Sequence, residues 1–253
     1  MKVAICLYGS AGFTNKLSGR NLQEVIPLDI KEPLESLKDN ITNPYNADIF
    51  IHSWSHERSE EINKILQPKL SLYEPHKVFS RSFANNKNNT LSRFYSQMMS
   101  NKIKIDYENE KNIIYDVVLH ARIDLIWFTK INLNHDLTNS LYATFWNGSI
   151  NRETNLGPFD KSNYGENVAL MDNWFFSNSK NMNLFSNIYK DWRKIYLSTY
   201  KYNFKLKNRF KYNPHHWTYL QSKRNGLEIK NQYYRGFDWE LYRRYIQDEW
   251  TNS

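Results

Sequence analysis

Cysteine occurs once in the 253 residues, at Cys6, which excludes a disulfide framework and makes a reducing compartment, the cytoplasm, the expectation. Cys6 lies inside the apolar run VAICLY, where a thiol serves as a small buried hydrophobe. Long apolar runs are missing as well. The longest are about six residues, far short of the ~20 that a membrane-spanning helix needs. The opening MKVAICLYGSAG has one lysine and a short apolar stretch. Glycine ends it and no small-residue cleavage pattern follows, so it reads as a first strand and not as a signal peptide. The sequons at Asn88 and Asn147 then carry no meaning for a chain that does not meet the glycosylation machinery. Internal repeats, low-complexity tracts and Pro/Gly-rich linkers are absent, so no domain boundary is visible. The spacings of the dinucleotide fingerprint, the P-loop and the G-x-S-x-G elbow are absent too, as are RRM, helix-turn-helix, OB and zinc-finger signatures.

Charge of one sign is in excess. There are 34 Lys+Arg against 26 Asp+Glu, a net charge of +8, which favours a polyanionic partner: nucleic acid, a lipid surface or a nucleotide diphosphate. Aromatic residues make up 16% of the chain, with 18 tyrosines and 8 tryptophans, and aromatic surfaces suit flat partners such as bases and sugar rings. An AT-rich genome, bacterial or viral, supplies the same abundance of Tyr, Lys, Asn and Ile without any functional cause.

KVAICLY and ADIFIHSW read as continuous apolar strands of a parallel sheet. The segment GSAGFTNKLSGR between them reads as a polar loop, and LQEVIPLDIKEPLESLKDNIT as a helix with Leu34, Leu37 and Ile41 on one face. EEINKILQPKL is a short helix, SLYEPHKVF is extended, and the asparagine-rich SRSFANNKNNTLSR is a loop. LSRFYSQMMSNKIKIDYENE reads as a helix with Phe94, Met98 and Ile105 roughly at helical spacing, then comes YDVVLHARIDLIWF as a strand, then a strand at SLYATFW. Residues 147–164 form a long loop and NVALMDNWFFSN returns to the core. Leu184, Ile188, Trp192 and Tyr196, four apart, mark one amphipathic helix; HHWTYLQSKRNG is another, stopped by Gly226. FDWELYRRYIQDEW reads as a terminal helix. Strands alternating with helices over the first 130 residues predict a single α/β domain, a mainly parallel, Rossmann-like sheet flanked by helices.

Ligands of open α/β sheets bind beyond the carboxyl ends of the strands. Three such ends carry polar residues here: Tyr8, Gly9 and Ser10; His52, Ser53 and Trp54; Arg122 and Asp124. In a doubly wound sheet they form one constellation. Two residues apart on a strand, Arg122 and Asp124 point to the same side. Asp124 there can ligate Mg²⁺ or Mn²⁺, and Arg122 can grip a diphosphate. The plainer reading is an Arg–Asp pair that holds a loop. The pair His215–His216 precedes a helix whose N-terminus suits an anion.

In order, MKVAICLYGSAG, NADIFIHSWS, YDVVLHARIDL and NVALMDNWFFSN resemble viral and bacterial glycosyltransferase-like proteins of the GT-A type, over roughly residues 1–180. The resemblance implies a GT-A-like domain over 1–253, with a nucleotide-binding part over about 1–130 and an acceptor-side helical part over about 131–253. It implies sugar transfer from a UDP- or GDP-linked donor to a hydroxyl of a glycan acceptor, assisted by Mn²⁺ or Mg²⁺, with no nucleic acid as partner. Tyr8, Gly9, Ser10, Arg20, His52, Trp54 and Arg122 would hold the nucleotide, Trp54 by stacking. Asp124 and His216 would ligate the metal. Asp172 would be the general base, with Glu166 the lesser candidate. Arg122 stands where the first carboxylate of the family's DxD motif belongs, a departure that also admits an inactive carbohydrate-binding protein on the same fold. A basic nucleic-acid-binding protein is the remaining alternative, on charge and aromatic content alone.

Overall fold

The computed structural model describes residues 1–11, 28–80, 87–144, 170–199, 212–243 and 245–246 in full, and 13–18 and 21–27 as backbone. In chain order the strands are β1 Val3–Gly9, β2 Phe13–Ser18, β3 Asn21–Pro27, β4 Asp48–Ser53, β5 Leu70–Tyr73, β6 Val117–Arg122, β7 Leu125–Trp127, β8 Ser140–Ala143, β9 Trp174–Ser177, β10 Glu228–Asn231 and β11 Trp239–Leu241. The helices are α1 Lys31–Leu37, α2 Asn43–Tyr45, α3 Ser59–Leu66, α4 Lys87–Lys111, α5 Ser179–Phe185, α6 Ile188–Thr199 and α7 Pro214–Arg224. A π-turn over Lys38–Thr42 joins α1 to α2.

Seven strands make one sheet in the order β10-β8-β9-β6-β1-β4-β5. β1 pairs in parallel with β4 on one side and β6 on the other, β4 with β5, and β8 with β10. β9 alone runs against its neighbours β6 and β8. This is the expected α/β architecture with a mostly parallel, Rossmann-like sheet. The central strands are apolar at every position because both their faces are covered. Val3, Ile5 and Leu7 of β1 join a core with Leu34, Leu37, Ile41, Ile62 and Leu66 from α1, the π-turn and α3. Ala4 and Cys6 join the opposite core, with Phe94 from α4, Met182 and Phe185 from α5, Ile188 and Ile195 from α6, and Trp217 and Leu220 from α7. Each fully buried aliphatic or aromatic side chain contributes roughly 1.5–3 kcal/mol. Cys6 is wholly buried, and burial pushes its thiol up to about 12; it serves as core and not as chemistry.

Several local expectations are corrected. The polar segment after β1 and the start of the expected first helix are the antiparallel hairpin β2–β3, and the helix begins only at Lys31. Residues 81–86 of the asparagine-rich segment lie outside the described residues, and from Lys87 it is helix, not loop. The helix expected through Leu184, Ile188, Trp192 and Tyr196 is two helices, and Leu184 is exposed. The terminal segment begins as β11, paired with β7. The long loop expected over 147–164 lies outside the described residues. Gly226 closes α7 as expected: its φ is +67 and its N–H donates to Lys223 O at 3.1 Å. Among the described residues no helix is long and apolar enough to cross a membrane.

Candidate functional site

From β1 the chain moves out through β4 to β5. It returns with β6 on the other side of β1, and on that side the sheet continues through β9, β8 and β10. Connections that diverge from adjacent parallel strands leave a crevice at their carboxyl ends. A cleft of about 490 Å³ opens there. Tyr8, Gly9 and Ser10 line it from β1, Trp54 from the end of β4, Arg122 and Asp124 from β6, and Asn89, Thr90, Ser92 and Arg93 from the start of α4; His76, Pro214 and Arg243 complete it. Gly9 makes the turn off β1 with φ +100, which a side chain would strain. Its N–H donates to Ser96 Oγ at 2.9 Å and its carbonyl accepts from Trp54 N at 3.1 Å, so the ends of β1 and β4 are tied to α4 and to each other.

Arg122 and Asp124 satisfy one another. Arg122 Nε donates to Asp124 Oδ1 at 2.7 Å and Nη2 to Oδ2 at 2.5 Å, a two-pronged pair about one-fifth exposed. Burial works against both charges, but the partners outweigh it. Asp124 holds the guanidinium above its ordinary range, and Arg122, helped by Arg243 and Arg93, holds the carboxyl below its own. The paired reading of these two residues therefore accounts for the charges at the strand end.

Asp172 lies just before β9, and because β9 is antiparallel this brings it to the carboxyl end of β6. It is 2% exposed. Its Oδ2 takes a short hydrogen bond from Arg93 Nη1, and its Oδ1 lies 3.0 Å from His215 Nδ1. That nitrogen also lies 3.1 Å from the Leu170 carbonyl. A carbonyl only accepts, so Nδ1 carries the proton. Burial alone would raise the Asp172 carboxyl, yet Arg93 and His215 hold it far below the usual carboxylate range. The Arg93 guanidinium sits 5.9 Å from the Tyr8 ring centroid. The Tyr8 hydroxyl donates towards the carbonyls of Asp172 and Asn173, at 3.1 and 3.2 Å, and burial pushes it up to about 12. One guanidinium edge is thus pinned. Arg93 Nε and Nη2 are buried and have no hydrogen-bond partner among the described residues.

On the β4 side, His52 is fully buried behind Trp54. Its Nε2 lies 2.8 Å from Glu74 Oε2 and its Nδ1 lies 2.8 Å from Ser96 Oγ. Burial lowers its pKa more than Glu74 raises it. The ring thus reaches a carboxylate through Nε2 and a hydroxyl through Nδ1, and that hydroxyl also donates to the His52 carbonyl at 3.0 Å. Tyr95 stacks on Trp54 at 5.7 Å and 21°, and His52 meets its edge at 5.0 Å.

Of the sequence-derived candidates, Tyr8, Gly9, Ser10, Trp54, Arg122 and Asp124 share this cleft. Asp172 stands behind it as the anchor of Arg93, with both oxygens engaged, and not as an exposed base. His52 is wall. His216 is fully buried, and Pro214, not His216, lines the cleft. Arg20 and Glu166 lie outside the described residues. Among the described residues this donor set does not fit a metal centre. Arg122 takes both Asp124 oxygens, the neighbours are arginines, and no three His, Cys, Asp or Glu among the described residues converge as a metal cluster. Sequence reasoning missed Arg93 and Arg243. Arg93 falls where the segment read as a loop overlaps the one read as a helix, and only its place in the first turns of α4, beneath which β1 ends, reveals it.

No family model matches the chain. No curated protein matches it either. Among solved structures, a CTP:phosphocholine cytidylyltransferase from Streptococcus pneumoniae is similar over 100% of both chains, at 16% identity and a TM-score of 0.47. A cytidylyltransferase from Leptospira borgpetersenii is similar over 82% of this chain and 74% of its own, at 12% identity and a TM-score of 0.39. The expectation of a glycosyltransferase that uses a UDP- or GDP-sugar to build a glycan is corrected on this finding: the structures to which the chain is similar are described as cytidylyltransferases.

Proposed function

We propose that the chain is a nucleotide-dependent transferase that binds a nucleoside triphosphate at the carboxyl ends of β1, β4 and β6 and passes its nucleotidyl group to an acceptor oxyanion. The observation that carries this reading is Arg93: two buried donor nitrogens without a partner among the described residues, on a side chain that lines a cleft with Arg122 and Arg243. Buried unpaired donors are costly, and a guanidinium edge is shaped for phosphate oxygens. The first turns of α4 face the same space with their dipole positive.

The choice of acceptor follows from the carboxylates. Asp124 is spent on Arg122, and Asp172 on Arg93 and His215. Neither is placed to strip a proton from a hydroxyl. An acceptor that is already ionised, such as a phosphate monoester, needs no such base. Its oxygen attacks the α-phosphorus and a new P–O bond forms. The bond to the bridging oxygen breaks, and its electron pair leaves with pyrophosphate. The arginines stabilise the charge that gathers on the phosphoryl oxygens and the leaving group.

The test is thermal unfolding of the protein with ATP, CTP, GTP, UTP and tripolyphosphate in turn. A nucleotide at about 100 times its Kd adds roughly 2.7 kcal/mol, which for a chain of this size raises Tm by about 5–10 °C. A rise with a nucleotide that Arg93→Met abolishes supports the reading. No rise with any of the five ligands overturns it.

A further inference from the structure

Trp54 is 6% exposed, and its Nε1 is buried without a hydrogen-bond partner among the described residues. Trp174 and Trp217 also keep unpartnered indole N–H groups, but neither lines the cleft, and Trp54 does. Trp54 and Arg93, both in the lining of the cleft, therefore keep three buried donor nitrogens without a partner among the described residues. The described residues leave these donors without acceptors, which a ligand can supply.

The two sources of donors have different surroundings. Arg93 belongs to the cationic end, with Arg122 and Arg243. Trp54 belongs to the aromatic end, where His76 lies 5.4 Å away at 47°, Phe79 5.9 Å away at 68° and Tyr95 stacks on it. Triphosphate belongs with the arginines. The flat, heterocyclic end of a nucleotide, with its carbonyl oxygens and ring nitrogens, belongs with the rings. Tyr95 already occupies one face of the indole, so the polar edge of Trp54, and not stacking, is what it has to offer.

We infer that the indole N–H of Trp54 donates a hydrogen bond to an acceptor atom of the nucleobase and so sets which nucleotide the cleft takes. This rests on the nucleotide reading above. A site built around a hydrogen bond rejects ligands that leave its buried donor unpaired. Selectivity thus comes from the base that places an oxygen or nitrogen where the indole N–H points.

The experiment measures Kd for ATP, CTP, GTP, UTP and tripolyphosphate on wild type, on Trp54→Phe, and on a variant with benzothienylalanine at position 54. The last replaces the N–H by sulfur at nearly constant shape, so it holds the packing that Phe would lose. The expected result is about a tenfold weaker Kd for the preferred nucleotide, the span among the four nucleotides compressed, and tripolyphosphate unchanged. Nucleotide binding that is unaltered in the sulfur variant overturns the inference, with the orphaned N–H then satisfied by water. Equal weakening of tripolyphosphate overturns it too and moves the N–H to the phosphates. If wild type binds none of the five, the nucleotide reading fails, not the role of Trp54 within it.

Discussion

Arg93 and Asp172 should be worth far more as a pair than either is alone. Their side chains are 15% and 3% exposed, and the pair packs over the Tyr8 ring. Removing one partner strands the other as a buried charge, a cost of about 3–5 kcal/mol. Removing both leaves no stranded charge, and the double variant should lie within about 1–2 kcal/mol of wild type if apolar side chains fill the space. Urea unfolding of Arg93→Met, Asp172→Leu and the double variant therefore predicts a coupling of more than about 2 kcal/mol. Asp172 also predicts a pH signature. Its folded carboxyl is depressed, so its stabilisation is full above the unfolded value of about 3.9 and is lost only as pH falls below that. The Asp172→Leu penalty should thus be flat from pH 7 to 5 and shrink under more acid conditions. Arg93→Met and the double variant should both lose nucleotide-induced stabilisation, because both lack the orphaned donors. Single costs that simply add in the double variant would refute the coupling. Undiminished nucleotide binding in the double variant would refute the role given to Arg93.

His120 is fully buried, and burial, with Lys104 second, drives its pKa down to about 3. Its folded pKa is depressed, so stability is full above about pH 6.5 and falls as pH drops; at pH 5 the loss is about 2 kcal/mol. Urea midpoints at pH 7 and pH 5 should show that slope in wild type, and His120→Gln should flatten it. Asn213 caps α7 through its side chain, accepting from His215 N at 2.9 Å and His216 N at 3.3 Å. Asn213→Ala should cost about 1 kcal/mol of stability in urea and weaken nucleotide binding through the loosened His215–Asp172 contact. Loss of stability with intact binding would make Asn213 a cap and nothing more.

The central strands were legible because burial on both faces leaves an unbroken apolar signature, and three of their carboxyl ends led to most of the cleft lining. Arg93 was not legible. Its segment is dense in asparagine, and its helix packs against β1 and β4, which no local pattern reports. The opposite error fell on Leu184 and Ile188. A spacing of four persists across the break at Ser186–Asn187 because periodicity records side chains, not hydrogen bonds. Asp172 was found as a polar residue beside a core strand, but its role depends on the direction of β9, which strand composition does not encode. The resemblance that suggested sugar transfer rested on short stretches that define strand ends, and such ends are common to many chemistries on one fold.

The reversal of β9 has a consequence for how the chain can change. β8 runs parallel to β10 and antiparallel to β9, so Thr144 leaves the sheet and Leu170 re-enters it at the same edge, the one that holds the cleft. Tyr142 opposite Phe176 keeps its register whatever the number of residues between those exits. Insertions and deletions between those exits leave the pairing of the sheet undisturbed. A lineage could therefore change the length of chain that joins β8 to β9 while inheriting the strand pairing intact.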